Sequence, residues 1–458
     1  MKTNKSGPLS KNQYSQAMTY FQKTFGLGEL IADFDCVRSC KQVNDADVLL
    51  GMLSGLMSGR RSLADLAESI GRSRSVLEDL LKLEGLARRL RRYITAMIRK
   101  MRRGKMIALP NLRGKLLGSV DGVETHRRMF SPADFYDAVR RGLVGPHCQV
   151  SVHRNKKTGE IERYEVYHRL VVVCLITDRG PMPFAWDYQR SELGAAYAKW
   201  LDAGADPEKH PASDSSKDKA KQEGELTVLK QLLVQMKRDF NGRLPFDILV
   251  GDGLYDKAPI LEEVERHGAV LIAVHNNERR SLHQSAEEDF STRPPDGTWK
   301  DGDRSYQGWS GVYTDPNVAR ENGSVKIVRV IRTTTDGSVD DYFYCSNRSW
   351  ITPRLVEWCR YYRWKEENGF NAWTNGWGIL KHVFHNDADA CDSMIGLIFI
   401  GVIGVSNFRM GNLRRGAHYV VGKLAEFFDT MRAGYRAITT DLRTFVIEYL
   451  APVLINTA

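Results

Sequence analysis

Apolar residues recur at helical spacing from about residue 13 to residue 105, and nothing there alternates as a β-strand does. Beyond this stretch the period changes, and short apolar runs bounded by turn residues predict strands. The predicted strands cover residues 115–121, 149–153, 164–176, 182–188, 246–252 and 269–275. Predicted helices lie at 191–201, 222–240 and 258–267, and a Ser-, Asp- and Lys-rich loop covers 202–221.

Residues 276–350 break this alternation with Gly, Asp, Ser and Thr, and contain strand-like pieces at 325–333 and 341–345. We predict an inserted β-rich subdomain there, followed by a long helix over 353–383 and further helices. Without the insertion, three strands precede an alternation of helices and strands. This order predicts an α/β fold with a mixed sheet flanked by helices, the ribonuclease H-like arrangement.

Residues 63–77 have the pattern of a helix-turn-helix. Ala67 is small enough for close helix contact, and Gly71 can make the turn. The predicted core positions are Ile70, Leu77 and Leu80. Arg72 and Arg74 would then open the recognition helix, but the degenerate spacing fits an ordinary helical hairpin equally well.

A strongly basic helix is predicted over residues 88–105, which hold nine Lys and Arg residues and no acid. Its apolar face consists of Leu90, Tyr93, Ile94, Met97, Ile98 and Met101. The alternatives are a solvated face, a membrane-surface helix and a DNA-backbone contact. We favour the DNA contact, made by Arg88, Arg92, Arg99 and Arg103.

Composition narrows the class of protein. A hydrophobic fraction of 42% excludes wholesale disorder, and a net charge of +10 favours a polyanionic partner such as nucleic acid. The seven cysteines lack paired zinc spacing, so we predict reduced thiols. The N-terminus does not resemble a signal peptide, and the apolar run 394–405 suits a buried helix. We expect a soluble, cytoplasmic protein with no membrane partner.

Two aspartates end predicted strands and are each followed by glycine. In the predicted sheet the strands that carry Asp121 and Asp252 are neighbours, so the two carboxylates should meet. The helix over 353–383 packs across the sheet and would bring Glu367 to the same place. Converging carboxylates need a compensating cation, and oxygen ligands favour Mg²⁺ or Mn²⁺. Two such ions about 4 Å apart would support phosphodiester chemistry.

Glu366 is the rival of Glu367. Helical phase places Glu367 on a polar stripe with Arg360, Arg363 and Asn371, whereas Glu366 falls on the apolar stripe between Tyr362 and Phe370. We therefore predict Glu367 as the functional carboxylate. Glu366 is either buried with a partner, or the predicted register is wrong by one residue.

Three passages together resemble the DDE transposases of bacterial insertion sequences, in the group with a β-rich insertion before the last catalytic residue. They are Val120-Asp121-Gly122, then Val250-Gly251-Asp252-Gly253-Leu254-Tyr255, and Arg363-Trp364-x-x-Glu367-Asn368-x-Phe370-Asn371. Tyr167-His168-Arg169 and Glu225 are lesser likenesses. The chain has Arg360, Glu366 and Thr374 where that group usually has Tyr, an aliphatic residue and Lys.

The resemblance implies a function and a set of contacts. Asp121, Asp252 and Glu367 would be the catalytic residues and would hold two Mg²⁺ or Mn²⁺ ions. Double-stranded DNA, at element ends and target sites, would be the partner of a homodimer in the bacterial nucleoid. The implied DNA contacts near the site are Tyr255, Arg363, Asn368, Asn371 and Lys381.

The expected activity is DNA strand cleavage and strand transfer. A nuclease of the same fold and an inactive, transposase-derived DNA-binding protein remain alternatives, because attack by water and by a 3′-hydroxyl needs the same site. The predicted domains are a DNA-binding region 1–110, a catalytic core 111–275 and 351–410, the insertion 276–350, and a C-terminal helical region 411–458.

Overall fold

The computed structural model describes residues 12–31, 44–104, 106, 107, 109, 112, 114–145, 147–204, 224–275, 280–315, 323–376, 380, 387–408, 428 and 431. The predictions for Lys381, for residues 205–221 of the loop and for almost all of 411–458 lie outside these residues. None of the described cysteines, at positions 148, 174, 345, 359 and 391, forms a disulfide.

Helices precede the sheet, as predicted. They are α1 (Asn12–Phe25), α2 (Leu27–Ile31), α3 (Asp45–Met57), α4 (Leu63–Ser69), α5 (Arg74–Leu81) and α6 (Leu86–Arg103). The Ser62 hydroxyl caps α4 by accepting a hydrogen bond from the Asp65 amide at 3.1 Å, and Gly71 makes the turn to α5 with φ +63°. The predicted core positions Ile70, Leu77 and Leu80 are buried.

The apolar face of α6 is buried at every predicted position, and this face packs against α13 (Ala388–Asn407). Among the described residues, α13 alone is long and apolar enough to cross a membrane, but 83% of its most apolar window is buried inside the protein. It also packs against α3 and against the strand Gly180–Tyr188. The run 394–405 is therefore a core helix, as predicted.

The sheet has ten strands, and in the described chain a helix directly follows five of them. In chain order the elements are β1 (Leu117–Phe130), α7 (Pro132–Arg140), β2 (Cys148–Arg154), β3 (Ile161–Thr177), β4 (Gly180–Tyr188), α8 (Leu193–Asp202), α9 (Glu225–Asp239), β5 (Ile248–Gly251), α10 (Ala258–Arg266), β6 (Val270–Val274), α11 (Ser281–Thr292), β7 (Gly297–Asp301), β8 (Arg304–Thr314), β9 (Ser324–Thr334), β10 (Val339–Ser346) and α12 (Pro353–Asn371). The strand order is β2-β3-β1-β5-β6-β10-β9-β8-β7, with β4 also paired to β3. The fold is α/β with a mixed sheet flanked by helices.

The first strand is longer than predicted. We expected it to end at Asp121, but β1 continues to Phe130 because antiparallel pairing with β3 extends to Phe130↔Tyr164. Its parallel partner β5 stops earlier, at Ser119↔Val250. Asp121 therefore lies just beyond the point where β1 loses one neighbour, and the sheet opens there.

The strands of the predicted insertion continue the same sheet. The strand β10 pairs antiparallel with β6, from Tyr344↔Val274 to Ser346↔Ile272. Both predicted strand pieces are present, as β9 and β10. The helix α11 and the hairpin β7–β8 were missed, because the exposed side chains of β7 lack an apolar run.

Candidate functional site

Asp121, the aspartate of the first Asp-Gly pair, has a largely enclosed carboxylate. Its Oδ1 accepts a hydrogen bond from the Gly122 amide at 2.8 Å. Burial, together with the negative charges of Asp252 and Glu225, raises the pKa of Asp121 to about 6, although Arg363 and the Gly122 amide oppose this shift.

Asp252 follows β5 directly, and its Oδ1 accepts a hydrogen bond from the Leu254 amide at 2.8 Å. Its charge raises the pKa of Asp121. Asp252 forms no ion pair with any residue that the structure describes. Parallel pairing of β1 with β5 thus brings together two carboxylates that are far apart in sequence, as predicted.

Glu225, a minor likeness in the sequence, lies with Asp121, Asp252 and Glu367 in one group of carboxylates, which we call the acidic cluster. It opens α9 and is buried; its Oε1 lies 2.9 Å from Arg169 Nε, and its Oε2 accepts a hydrogen bond from the Tyr255 hydroxyl at 3.2 Å. A Cβ on Gly122 would lie 2.6 Å from Glu225 Oε1. The glycine after Asp121 therefore makes room for a third carboxylate.

Tyr255 needs a correction. We predicted a DNA contact, but its side chain is fully buried and its hydroxyl bonds to Glu225. Burial and the charges of Glu225, Asp121 and Asp252 raise its pKa well above the ordinary value, so it stays a neutral hydrogen-bond donor. Tyr255 positions Glu225 and does not face a DNA strand.

Arg363 lies between two of the predicted catalytic carboxylates. Its Nη2 is 3.8 Å from Asp121 Oδ2, and its Nη1 is 2.7 Å from Glu367 Oε1. Only 17% of the Arg363 side chain is exposed, so a guanidinium with little water around it links α12 to β1. The predicted DNA contact is thus already bound to the acidic cluster.

Glu366 and Glu367 have opposite environments. Glu367 is half-exposed and pairs with Arg363. Glu366 is completely buried beside the Ser119 hydroxyl and the Cys174 thiol, and neither carboxylate oxygen has a well-formed hydrogen bond among the described residues. Burial and the charge of Asp121 raise the pKa of Glu366 to about 8, so this carboxyl is largely protonated at neutral pH.

The remaining predicted DNA contacts are mostly on the surface. Those with exposed side chains are Arg72, Arg74, Arg88, Arg92, Arg99, Arg103, Asn368 and Asn371. Arg74 pairs with Glu78 at 2.7 Å. Arg99 donates to the Asp239 carbonyl and to Asn241, so part of its donor capacity is used within the protein.

A second group was missed entirely. Within the described part of the chain, the set of ligand-type atoms that all lie within 4.8 Å of one another comes from Asp256, His275 and Cys345. Asp121, Asp252 and Glu367 do not form such a set here, and Arg363 separates two of them. The missed residues lie in the loop before α10, directly after β6 and in β10, so only the strand pairing could have revealed them.

No family model and no curated protein matches this chain. The assignment of a function therefore rests on the geometry of the acidic cluster and on the motifs that led to it. The acidic cluster has partly accessible carboxylates and an excess of negative charge, which suits a cation-dependent reaction.

Proposed function

We propose that this protein is a DDE transposase with a ribonuclease H-like core. The strand order β4-β3-β1-β5-β6, with three antiparallel strands followed by two parallel ones, is the order expected of that core. The long helix α12, which packs against β1, β3, β4 and β5, would carry the third catalytic residue.

The proposal rests chiefly on one observation. Asp121 interacts at the same time with Asp252, with Glu225 and with Arg363, which in turn pairs with Glu367. These residues come from β1, from the loop after β5, from α9 and from α12. A structural aspartate that caps a turn has no need of three further carboxylates around it.

The donor set fits Mg²⁺ or Mn²⁺. The carboxylates of Asp121, Asp252, Glu225 and Glu367 have only Arg169 and Arg363 as cationic partners among the described residues. Oxygen-only ligands with surplus negative charge favour these ions over zinc. Asp121, Asp252 and Glu367 would hold them. The ions supply activation of a water or 3′-hydroxyl and charge neutralisation at the scissile phosphate.

The chain's own residues would position the reacting groups. Glu225, held by Arg169 and Tyr255, fixes the back of the cluster behind Gly122. Arg363 contacts both Asp121 and Glu367. When cations neutralise those carboxylates, its guanidinium would be free to pair with a DNA phosphate instead. Asn368 and Asn371 continue the exposed face of α12 beside it.

The N-terminal helices would supply affinity for the DNA ends. Exposed arginines on α5 and α6 can contact phosphates without reading sequence. A homodimer would hold two ends together, as the family resemblance implies.

The test is a cleavage assay on labelled duplexes covering the sequences that flank the gene, with supercoiled plasmid as target. Parent and Asp252→Asn are compared in Mg²⁺ and in Ca²⁺, with the exposed Asp303→Asn as the matched control. We expect Asp252→Asn to lower cleavage at least about 100-fold, because metal ligation stabilises the transition state by several kcal/mol. DNA binding in Ca²⁺ should be unchanged.

The products distinguish the alternatives. Labelled ends joined to the plasmid support a transposase, whereas nicked ends without joining support a nuclease. Binding without any product would overturn both enzyme functions and favour an inactive descendant. Cleavage by Asp252→Asn at the parent rate would disprove the site.

A further inference from the structure

We propose that Asp256, His275 and Cys345 form a binding site for one thiophilic divalent ion and that zinc is the ion this site fits best. The site is separate from the acidic cluster, and nothing in the proposed DNA chemistry requires it. Asp256 follows Asp252 by four residues on the same loop.

Strand pairing brings the three ligands together. Asp256 precedes α10, His275 follows β6, and Cys345 lies in β10 opposite Ala273 of β6. Cys345 Sγ donates to Asp256 Oδ1 at 2.9 Å, and His275 Nδ1 lies 2.7 Å from Asp256 Oδ2. All three residues are at least 95% buried.

The distances suit a site in which protons occupy the place of a metal. Zinc bonds of about 2.0 Å to oxygen and nitrogen and about 2.3 Å to sulfur give tetrahedral ligand separations of about 3.3–3.5 Å. The observed S–O and N–O contacts are shorter than this by about 0.6 Å each and go to different oxygens of Asp256, so the carboxylate and the other two side chains must rotate to admit an ion. The ion would replace the thiol proton, which leaves to solvent.

The mixed donor set decides which ion fits. A thiolate, an imidazole and a carboxylate match zinc and similar ions, and a thiolate is a poor ligand for Mg²⁺. Binding of the ion through Nδ1 would place the ring proton of His275 on Nε2, which is buried and has no hydrogen-bond partner among the described residues.

Arg280 would support the site from outside. Its Nη1 lies 2.6 Å from Asp256 Oδ2, and its Nη2 donates to the Asp256 carbonyl at 3.0 Å. Such an outer partner orients a monodentate carboxylate ligand. Arg280 also lines a cavity of about 590 Å³ with Lys257, Ser281 and Tyr313.

The ion would fix the loop of Asp252 to β6 and β10. Tyr255 lies between the two clusters in sequence and bonds to Glu225, so a firmly held Asp256 would also hold one wall of the acidic cluster. The ion would act on the reaction only through this positioning.

The experiment is a Co²⁺ titration of the full chain after metal removal with a chelator, followed by back-titration with Zn²⁺. We expect one equivalent of Co²⁺ to give a thiolate-to-cobalt charge-transfer band and the intense visible spectrum of a tetrahedral site. Zn²⁺ should abolish both, whereas Mg²⁺ in large excess should not. Thermal unfolding should shift upward with Zn²⁺.

Variants decide whether these residues are the ligands. Cys345→Ser and His275→Gln should each weaken Co²⁺ binding more than about 100-fold, because even outer partners contribute about 10–100-fold. The matched control is Cys359→Ser, another completely buried thiol that lies on α12. Asp252→Asn should also leave the spectrum unchanged, which separates this site from the proposed catalytic one.

Two results would overturn the proposal. One is a parent protein that gives no thiolate band with Co²⁺ at any concentration below that at which it precipitates. The other is a band that survives in Cys345→Ser or His275→Gln, which would place the ion elsewhere. If one variant fails to fold, the parent spectrum and the other variant still decide.

Discussion

Asp252 and Asp256 lie four residues apart on the loop after β5, yet their carboxylates have opposite surroundings. Asp252 is part of a group of acids and lacks a cationic partner among the described residues. Asp256 accepts hydrogen bonds from His275 and Cys345 and forms an ion pair with Arg280. Burial opposes its ionisation, but these partners lower its pKa below the ordinary value.

The difference separates a group of acids whose charge the protein leaves largely unbalanced from a carboxylate whose charge, with no ion bound, is balanced by the protein's own donors. Burial and the nearby carboxylates raise the pKa of Asp121, which is unfavourable for folding and useful only if a cation or substrate arrives. Around Asp256 every oxygen has a donor. The acidic cluster should therefore tolerate loss of charge, and the Asp256 cluster should not.

The largest effect expected from this comparison is on stability, with the same substitution at both positions. Asp256→Asn leaves Arg280 without its anion, and we expect a loss of about 3–5 kcal/mol in unfolding free energy. Asp252→Asn removes repulsion and should change it by less than about 0.5 kcal/mol. Urea unfolding at pH 7 with a chelator present measures both, and equal losses would refute the distinction.

The second prediction concerns pH. The folded-state pKa of Asp121 is raised to about 6 and that of Glu366 to about 8, so the folded protein holds these protons when the unfolded chain has lost them. The free energy of unfolding must therefore fall as pH rises, from about 4 to 6 for Asp121 and on to about 8 for Glu366. The contribution of Asp121 is at most about 3 kcal/mol.

Variants of each group test this assignment. Asp121→Asn should flatten the lower part of the profile, between pH 4 and 6, and Glu366→Gln should flatten the part up to pH 8. Denaturant midpoints across this range are the measurement. A Glu366→Gln profile that still falls between pH 6 and 8 as steeply as the parent's would show that Glu366 does not titrate there.

The acidic cluster could be predicted from sequence only in part. Asp121 and Asp252 could be paired because each follows an apolar run that predicts a strand, and the order of elements makes those strands neighbours. Asp256, His275 and Cys345 could not, since their proximity depends on β10 returning to pair with β6 after a long excursion. No local spacing carries that information.

Helical phase on α12 gave a mixed result for a physical reason. It separated Glu367 from Glu366 and predicted the polar and apolar faces of the helix. It could not show what the buried face packs against. In the structure this face lies next to Ser119 and Cys174, and Glu366 therefore lies in the interior beside Asp121. Tyr255 was misjudged for a similar reason, because a motif gives a residue's position but not the direction of its side chain.

A third prediction tests whether the acids are as crowded as the geometry indicates. In Gly122→Ala the new methyl group would lie within 3 Å of both Glu225 carboxylate oxygens, and strand pairing with Val171 prevents β1 from moving away. We expect a loss of about 1–3 kcal/mol in unfolding free energy. Gly297→Ala, at a strand position with open space, is the matched control and should be nearly neutral. If Gly122→Ala lost no more unfolding free energy than Gly297→Ala, the Glu225 side chain would have moved aside without cost.

The smallest stability effect decides most about the proposed chemistry. Glu367→Gln removes a half-exposed ion pair with Arg363 one helical turn away, which contributes about 0.2–0.5 kcal/mol. If Glu367 is the third metal ligand, the same substitution abolishes Mg²⁺-dependent cleavage while DNA binding in Ca²⁺ persists. Glu366→Gln, which mimics a protonated carboxyl already present at neutral pH, should then cleave at close to the parent rate. The opposite pattern, with Glu366→Gln inactive and Glu367→Gln active, would assign the metal to the buried carboxylate next to Asp121. Arg363 and Glu367 would then form an ion pair beside the site that takes no part in binding the metal.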